Sequence, residues 1–282
     1  MNPDSHILEA ARSWLFVPGD RPERFSKAGA SGADVVVCDL EDAVAPGMKD
    51  RARNDVQQWL MQGGRACVRI NGASTAWFAD DLASLSETPG LLAIMVPKAD
   101  DPDVMAHIRD IMPGNVALIA LVETALGVRR ALNIAATPGV LRLAFGSLDY
   151  ALDIDAEPDP STLQLPRSEL VAASRIAGLP GPVDGVTTAL REQGRVAEDA
   201  RFARRLGMTG KLCIHPQQVH EVNAALSPSD PDIEWAHRVL AAVGQAGAVD
   251  LDGQMIDKPV VDRAHRIVGR AGLLERHRPD DV

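Results

Sequence analysis

The sequence predicts an α/β protein, a (β/α)8 TIM barrel followed by a C-terminal helical extension. Eight short apolar runs rich in β-branched residues recur up to about residue 214. Most of these runs are continuous rather than alternating, which is typical of strands covered on both faces, as in a parallel sheet. Helical patterns that end in glycine or Pro-Gly separate the runs. Strand and helix patterns in repeated alternation favour a barrel.

The eight predicted strands can be located directly. An open doubly wound sheet is the alternative, but no G-x-G-x-x-G motif follows any of the runs. The runs are SWLFVPG (13–19), DVVVCDLED (34–42), ACVRIN (66–71), LLAIMVPK (91–98), VALIALVET (116–124), VLRLAFGSLD (140–149), PVDGV (182–186) and KLCIHP (211–216).

Helical patterns lie between these strands and also follow the last one. Beyond the predicted barrel, residues 1–226, two amphipathic patterns occupy residues 227–282. We expect this extension to pack on the barrel, on a neighbouring subunit or over the active site. The inter-strand patterns are RPERFSKAGASG, MKDRARNDVQQWLMQG, ADDPDVMAHIRDIMPG, STLQLPRSELVAASRIAG and GRVAEDARFARRLG, and those of the extension are PDIEWAHRVLAAVGQAG and KPVVDRAHRIVGRAG.

Composition excludes several classes of partner. The formal net charge of the 282-residue chain is −10 and aromatic residues make up only 4%. These values argue against a nucleic-acid or anionic membrane surface. No apolar run reaches the roughly 20 residues that span a bilayer, and the N-terminus does not have the pattern of a secretory signal. Three cysteines without a CxxC motif predict buried free thiols and a cytoplasmic protein.

Polar residues cluster where the predicted strands end. In barrels of this kind, side chains at the C-terminal strand ends form the active site. We therefore expect one polar mouth, formed by Asp39, Glu41, Asp42, Arg69, Asn71, Lys98, Glu123, Ser147, Asp149 and His215.

Two carboxylates at this mouth are candidate metal ligands. Glu123 and Asp149 end adjacent strands, and a site made only of oxygen ligands favours Mg²⁺, with Mn²⁺ as an alternative. Alternatively, Asp149 caps the turn that follows and Glu123 begins the next helix, where an acid suits the helix dipole. Position at the strand ends leaves both interpretations open.

Two basic side chains at the mouth also have two interpretations each. Arg69 ends an apolar strand, so its guanidinium must face a carboxylate, either that of a ligand or that of Asp39 or Glu41. Lys98 could form a Schiff base or could be an exposed charge at the start of a loop.

The segment that follows the first predicted strand, Gly19–Arg24, is also open to two interpretations. It could hold a phosphate, or it could form an ordinary turn.

Taken in order, the motifs resemble the citrate lyase β-subunit-like family. That family belongs to the group of malyl-CoA lyases, citramalyl-CoA lyases and HpcH/HpaI aldolases. The resemblance extends from about residue 12 to about residue 270, and one departure is Leu148, where many relatives have an acidic or small residue. The motifs are SWLFVPGDRPERFSKA, VVVCDLEDAV, VRIN, VPK, LVET, FGSLDYALDI, DGV, GKLCIHPQQV and GQMIDKPVVDRA.

The resemblance implies roles for specific residues. Glu123 and Asp149 would bind Mg²⁺, and Arg69 would bind the substrate carboxylate. Asp257, on the C-terminal segment, would serve as acid/base and could reach a neighbouring subunit's site; a helix cap is the alternative. The remaining candidates are Glu41 as a further catalytic acid, Gly146 and Ser147 for substrate, and Arg12, Arg24 and Lys27 for the phosphates of coenzyme A or of an acyl carrier.

The activity implied is a metal-dependent carbon–carbon lyase acting on 3-hydroxyacyl thioesters such as malyl-, citramalyl- or citryl-CoA. Cleavage would release a keto acid and an acyl thioester enolate, which Arg69 would stabilise. The resemblance also implies a homotrimer or hexamer. Alternatives are a metal-dependent aldolase acting on free 4-hydroxy-2-keto acids and a subunit of a citrate lyase complex.

Overall fold

A computed structural model of the chain describes residues 5–243, 249–251 and 254–275. Its first part is a closed barrel of eight parallel strands in sequence order, with β8 paired to β1, so the predicted fold is confirmed. The strands are β1 Ser13–Pro18, β2 Val35–Asp39, β3 Ala66–Arg69, β4 Leu91–Val96, β5 Ala117–Val122, β6 Val140–Phe145, β7 Val183–Asp184 and β8 Gly210–Cys213.

Alternation along each strand separates two apolar layers. Val35 and Val37 pack in the barrel interior, whereas Val36 and Cys38 pack between the strands and the surrounding helices. Both layers are buried, which explains why the strands are mainly apolar, with the buried Arg142 of β6 and Lys211 of β8 as exceptions. Because side chains alternate with period two, Asp39 extends the inner series of β2. The same parity places the side chains of Arg69 and Glu123 toward the axis of the barrel.

Helices surround the barrel, and the five predicted between its strands all form. Further short helices occur where the sequence analysis predicted none, among them α8, which replaces the end of the predicted sixth strand. The helices of this unit are α1 Ser5–Ala10, α2 Phe25–Gly29, α3 Lys49–Met61, α4 Phe78–Leu85, α5 Pro102–Ile111, α6 Ala125–Arg129, α7 Ala131–Ala135, α8 Ser147–Asp153, α9 Gln164–Ile176, α10 Arg195–Leu206 and α11 Gln217–Leu226.

A buried arginine closes the amino-terminal end of the barrel. Arg142 is fully buried and donates hydrogen bonds to the carbonyl oxygens of Leu8 and Ala11, at 3.0 and 2.7 Å from Nη1. Its guanidinium also lies over the Trp14 ring, 5.8 Å from the centroid. These contacts seal the end of the barrel opposite to the predicted active site.

The chain divides into two compact units, Met1–Leu226 and Ser227–Val282. In the second, α12 Asp230–Val243 and α13 Lys258–Glu275 flank a short antiparallel pair, β9 Val249–Leu251 and β10 Gln254–Ile256. Ala236 and Val239 of α12 pack with Ala264 of α13, as the two amphipathic patterns predict. Within the described ranges, no helix is both long and apolar enough to cross a membrane.

Candidate active site

A cavity of about 410 Å³ opens at the carboxyl ends of the strands. Strand alternation brings the polar groups of several strands to this one place, as the sequence analysis expects of a barrel mouth. Its apolar wall includes Phe16, Leu121 and Phe145, and its polar groups are Asp39, Asp42, Arg69, Glu123, Ser147 and Asp149.

Glu123 is the most deeply buried carboxylate of the cavity lining after Asp39, with 2% of its surface exposed. It immediately follows β5, and its Oε1 accepts a hydrogen bond of 2.8 Å from the backbone N–H of Lys98. Burial, followed by repulsion from Glu41 and Asp149, raises the pKa of Glu123 to about 8. A buried carboxylate between two further acids is a site where a cation would be stabilised.

Asp149 reaches the same cavity from α8. The strand ends at Phe145 and a helix begins at Ser147, so Asp149 lies in the first helical turn rather than at the strand end itself. Both Asp149 and Glu123 line the cavity, and the repulsion between them is one cause of the raised pKa of Glu123. The structure therefore brings together the two predicted metal ligands.

These two carboxylates have the chemistry of a magnesium site. Across the described part of the chain, no three His, Cys, Asp or Glu groups converge to form a metal site made of protein alone. That finding is compatible with Mg²⁺, which commonly takes one or two carboxylates and keeps several waters.

Gly146 leaves room for Glu123. A Cβ at position 146 would lie 2.3 Å from Glu123 Oε2 and 2.5 Å from Glu123 Cβ, so any side chain there would displace the carboxylate. Gly146 also donates its N–H to the carbonyl oxygen of Val122, at 3.0 Å. The glycine is therefore required by close packing at the site.

We expect Gly146→Ala to weaken metal binding at least about tenfold, because the glutamate must move away from Asp149. Titration calorimetry with Mg²⁺ measures this loss, and circular dichroism checks that the barrel remains folded. Gly47→Ala is the matched control, since no atom lies within 4 Å of a Cβ at that position. Unchanged Mg²⁺ affinity in Gly146→Ala would contradict the prediction.

Arg69 is held by a bidentate pair with Asp39. Its Nε and Nη2 donate to Asp39 Oδ1 and Oδ2 at 2.7 and 2.6 Å. Glu41 Oε2 lies 3.1 Å from Nη1, and the Phe16 ring lies 4.9 Å from the guanidinium carbon. Burial lowers the pKa of Arg69, but Asp39 and Glu41 outweigh burial and hold it above its usual range.

Asp39 is therefore a structural partner of Arg69, as one of the two sequence-based interpretations predicts. The same guanidinium also lines the cavity, so the Asp39 pair orients it toward that space. Asp39 accepts from Nε and from one Nη2 proton, and Asp42 Oδ2 accepts from Nη1 at 3.4 Å. Of the five N–H groups of the guanidinium, about two therefore remain for a ligand carboxylate. The two interpretations of Arg69 are compatible with each other.

Lys98 connects Glu123 with Glu41. Its backbone has a φ of 47°, an uncommon conformation for a residue with a side chain. This conformation points the N–H at Glu123 while the ammonium contacts Glu41 Oε1 at 3.0 Å. Burial lowers the pKa of Lys98, but the hydrogen bond and attraction to Glu41 raise it overall. A protonated lysine is a poor Schiff-base nucleophile, so the structure disfavours that alternative.

Glu41 contacts both basic residues without forming part of the cavity lining. Burial raises its pKa, and Arg69 opposes that rise. This position suits a carboxylate that orients Arg69 and Lys98 better than one that contacts substrate. Our sequence-based prediction of a catalytic role for Glu41 therefore becomes a proposed positioning role.

The sequence analysis placed Asn71 at the mouth but missed its buried partner Asp81 and the buried Lys49. Lys49 Nζ donates to the carbonyl oxygens of Leu40 and Glu41, both at 2.7 Å, and so fixes the loop after β2. The fully buried Asp81 accepts from both the backbone and side-chain nitrogens of Asn71, at 2.9 and 2.7 Å. The sequence does indicate a buried polar contact here, because Asp81 lies on the apolar face of helix α4.

Some predicted ligand-binding residues lie elsewhere. Arg12 precedes β1 and pairs with Asp34, at 2.9 Å, at the amino-terminal end of the barrel. That end is opposite to the cavity, so we leave Arg12 out of the proposed site. Arg24 and Lys27 follow β1 at the mouth end and are exposed, outside the cavity lining.

Asp257 lies in the second unit, just before α13. Its Oδ1 accepts from the N–H of Val260 at 3.3 Å, which is the helix cap that the sequence analysis weighed as the alternative. Asp257 is also exposed. Its role as acid/base stays a prediction.

A family model and many known proteins match this chain. The model described as HpcH/HpaI aldolase/citrate lyase matches residues 12–216. A citrate lyase subunit beta-like protein of Mycobacterium tuberculosis is 38% identical over 276 residues, with 95% of this chain and 98% of the relative covered. A (3S)-malyl-CoA thioesterase of Cereibacter sphaeroides is 33% identical, with 96% of each chain covered.

Solved structures of relatives have the same fold. The M. tuberculosis protein CitE in complex with magnesium, acetoacetate and coenzyme A has a TM-score of 0.82 and 36% identity, covering 94% of this chain and 99% of its own. A citrate lyase beta subunit of M. tuberculosis complexed with oxaloacetate and magnesium has a TM-score of 0.69 and 35% identity. It covers 78% of this chain and 99% of its own.

Proposed function

This chain belongs to the HpcH/HpaI aldolase/citrate lyase family, and we propose that it is a Mg²⁺-dependent carbon–carbon lyase of 3-hydroxyacyl thioesters. The observation that carries the proposal is the convergence of Glu123, Asp149 and Arg69 on one cavity at the barrel mouth. Two carboxylates and one oriented arginine are the groups needed to hold a cation and an anionic substrate side by side.

In this proposal Glu123 and Asp149 hold the magnesium ion. A magnesium ion held there would supply Lewis-acid polarisation of the substrate oxygens. Asp39 and Glu41 keep Arg69 fixed, so its free N–H groups meet the developing negative charge without reorganisation. The apolar wall formed by Phe16, Leu121 and Phe145 lowers the local dielectric, which strengthens these contacts.

The reaction breaks the bond between the carbinol carbon and the carbon next to the thioester. The hydroxyl gives up its proton to water, the carbinol carbon becomes the carbonyl of a keto acid, and the electron pair of the broken bond passes to a thioester enolate. Arg69 stabilises that enolate, and Asp257 or water returns a proton to its carbon. Read in reverse, these steps are a Claisen-type condensation.

The proposal is tested with malyl-CoA, citramalyl-CoA and citryl-CoA, each with Mg²⁺ and with EDTA. We expect metal-dependent release of one keto acid together with the matching acyl-CoA. Keto acid and acyl-CoA are measured separately by chromatography. Failure to cleave any of the three, with Mg²⁺ bound, would favour a free 4-hydroxy-2-keto acid or a carrier-bound substrate.

A second candidate activity is thioester hydrolysis, favoured by the 33% identity to a (3S)-malyl-CoA thioesterase. Hydrolysis releases free coenzyme A, whereas carbon–carbon cleavage leaves it esterified. A thiol-reactive dye added to the same assay therefore separates the two activities. Release of free thiol without keto acid would establish the thioesterase and overturn the lyase proposal.

We propose that Arg24 and Lys27 contact the phosphates of coenzyme A or of an acyl carrier. Both are exposed at the mouth end of β1, where an extended thioester would leave the cavity. The homotrimer or hexamer implied by the family resemblance also stays a prediction, and sedimentation analysis tests it.

The raised pKa of Glu123 predicts pH-dependent magnesium binding. Its carboxyl group is protonated below a pKa of about 8, and only the carboxylate binds the ion. Affinity is therefore expected to rise with pH and to level off above about 8, with proton release below that value. Calorimetry in two buffers of different ionisation enthalpy measures the protons. Affinity that is independent of pH from about 6 to about 9 would contradict the prediction.

A further inference from the structure

A second cavity, of about 310 Å³, lies beside the first and has no role in the chemistry above. Ser147, Leu148 and Val186 line both cavities, so they form the wall between them. The wall on the far side comes from the segment between β7 and α10 and from helices α9 and α10. We call this space the side cavity; its basic lining residues are Arg167, Arg195 and Lys211.

Arg167 is nine-tenths buried in the lining of the side cavity and is only partly satisfied. Its Nε donates to Asp184 Oδ1 at 2.7 Å, but its buried Nη1 has no hydrogen-bond partner among the described residues. The rings of Phe145 and Phe202 lie 5.6 and 5.9 Å from the guanidinium carbon and hold it in place. A buried guanidinium nitrogen that lacks a hydrogen-bond partner is costly in a protein interior.

The charges around Arg167 do not balance. Asp184 is fully buried and also accepts from Lys211 Nζ at 3.2 Å, so one carboxylate serves two buried cations. Burial would raise the pKa of Asp184, but Lys211 and Arg167 outweigh it and lower that pKa. The carboxylate is therefore ionised, and the cluster retains one positive charge in excess.

The other acids of the side cavity do not cancel this charge. Asp199 accepts a hydrogen bond of 2.7 Å from Thr187 and pairs with Arg195 at 3.1 Å. Glu192 is exposed to solvent at the rim. An uncompensated buried cation is among the least stable arrangements in a protein interior. A bound anion beside the guanidinium would supply the missing negative charge.

We propose that the side cavity is an anion-binding site for a carboxylate or phosphate group, held by Arg167. The planar fork of a guanidinium matches the paired oxygens of either group. Such an anion is either a remote acidic group of the molecule that fills the first cavity or an independent small anion. The inference goes beyond the lyase activity and does not depend on it.

The test is titration calorimetry with inorganic phosphate and with malonate, at low ionic strength, with EDTA present and substrate absent. We expect a dissociation constant of about 1 mM or tighter for at least one probe. Arg167→Met should weaken binding at least about tenfold, because it removes the charged donors. These conditions report on the side cavity whether or not the lyase proposal is correct.

A second pair of variants tests the site independently, in case Arg167→Met does not fold. Ala189 is a half-buried residue of the cavity lining, so Ala189→Glu places a competing carboxylate there, and Ala189→Gln adds the same volume without charge. We expect Ala189→Glu to lose anion binding and Ala189→Gln to retain it within about threefold. Equal affinity in wild type, Arg167→Met and Ala189→Glu would overturn the proposal, as would absence of binding by the wild type.

The lyase assay then separates the two sources of the anion. If malonate competes with the thioester substrate in wild type but not in Arg167→Met, the side cavity holds an acidic group of the substrate. If malonate binds without competing, the site serves an independent anion.

Discussion

Glu123→Gln is expected to abolish Mg²⁺ binding and to lower metal-dependent turnover at least about 1000-fold. The substitution keeps the size of the side chain and its acceptor for the Lys98 N–H, but removes the charge that holds the cation. Loss of the ion removes several kcal/mol of charge stabilisation, and about 1.4 kcal/mol corresponds to each factor of ten in rate. Calorimetry with Mg²⁺ and the keto-acid assay measure the two effects.

The same variant should not be less stable than the wild type in the absence of metal. The folded-state pKa of Glu123 is about 8, above its ordinary value of 4.5, so ionisation is disfavoured in the folded protein. As pH rises from about 4.5 to about 8, the wild type should lose up to about 5 kcal/mol of stability relative to Glu123→Gln. Urea unfolding in EDTA at about pH 5 and about pH 9 tests this difference.

A control variant near the same mouth shows whether the effect is specific to Glu123. Asp153 is an exposed acid of α8 whose Oδ2 accepts from the N–H of Ala125 at 2.7 Å, a bond that asparagine can also accept. Asp153→Asn should therefore retain Mg²⁺ binding and turnover. If Glu123→Gln bound Mg²⁺ as the wild type does, the assignment of the metal site would be wrong.

Much of the barrel could be predicted from the sequence because most strands lie in continuous apolar runs, and the predicted helices between them end in glycine or Pro-Gly. Strand parity also carries information about the site. Asp39, Arg69 and Glu123 all extend the inner series of their strands, and parallel strands bring those ends together. The position of Arg12 could also be predicted from the sequence, since a residue that precedes the first strand lies at the end of the barrel opposite to the mouth.

Other features depend on packing that a linear pattern does not record. Asp149 is on a helix rather than at a strand end because β6 ends at Phe145 and α8 begins at Ser147, directly after the N-cap residue Gly146. The positive φ of Lys98 follows from the loop geometry after β4. Arg167 joins the side cavity because α9 packs against β6 and the Arg167 Nε reaches the buried Asp184 of β7. The sequence does indicate that Asp184 has a partner, since an acid within the apolar run PVDGV must be hydrogen-bonded or paired when it is buried.

The dual role of Arg69 leads to the second large effect. Arg69→Met should be destabilised by about 3–5 kcal/mol, because Asp39 is 1% exposed and would remain as an unpaired buried charge. It should also lose carbon–carbon lyase activity, since no cation would face the substrate carboxylate. Urea unfolding and the keto-acid assay measure the two losses on the same preparation.

A double variant separates stability from catalysis. Asp39→Asn combined with Arg69→Met removes both charges of the pair, so stability should return to within about 2 kcal/mol of the wild type. Lyase activity should stay as low as in Arg69→Met, because the restored fold still has no guanidinium at the cavity. If the double variant recovered activity together with stability, Arg69 would have a structural role alone, and substrate binding would belong to another residue of the mouth.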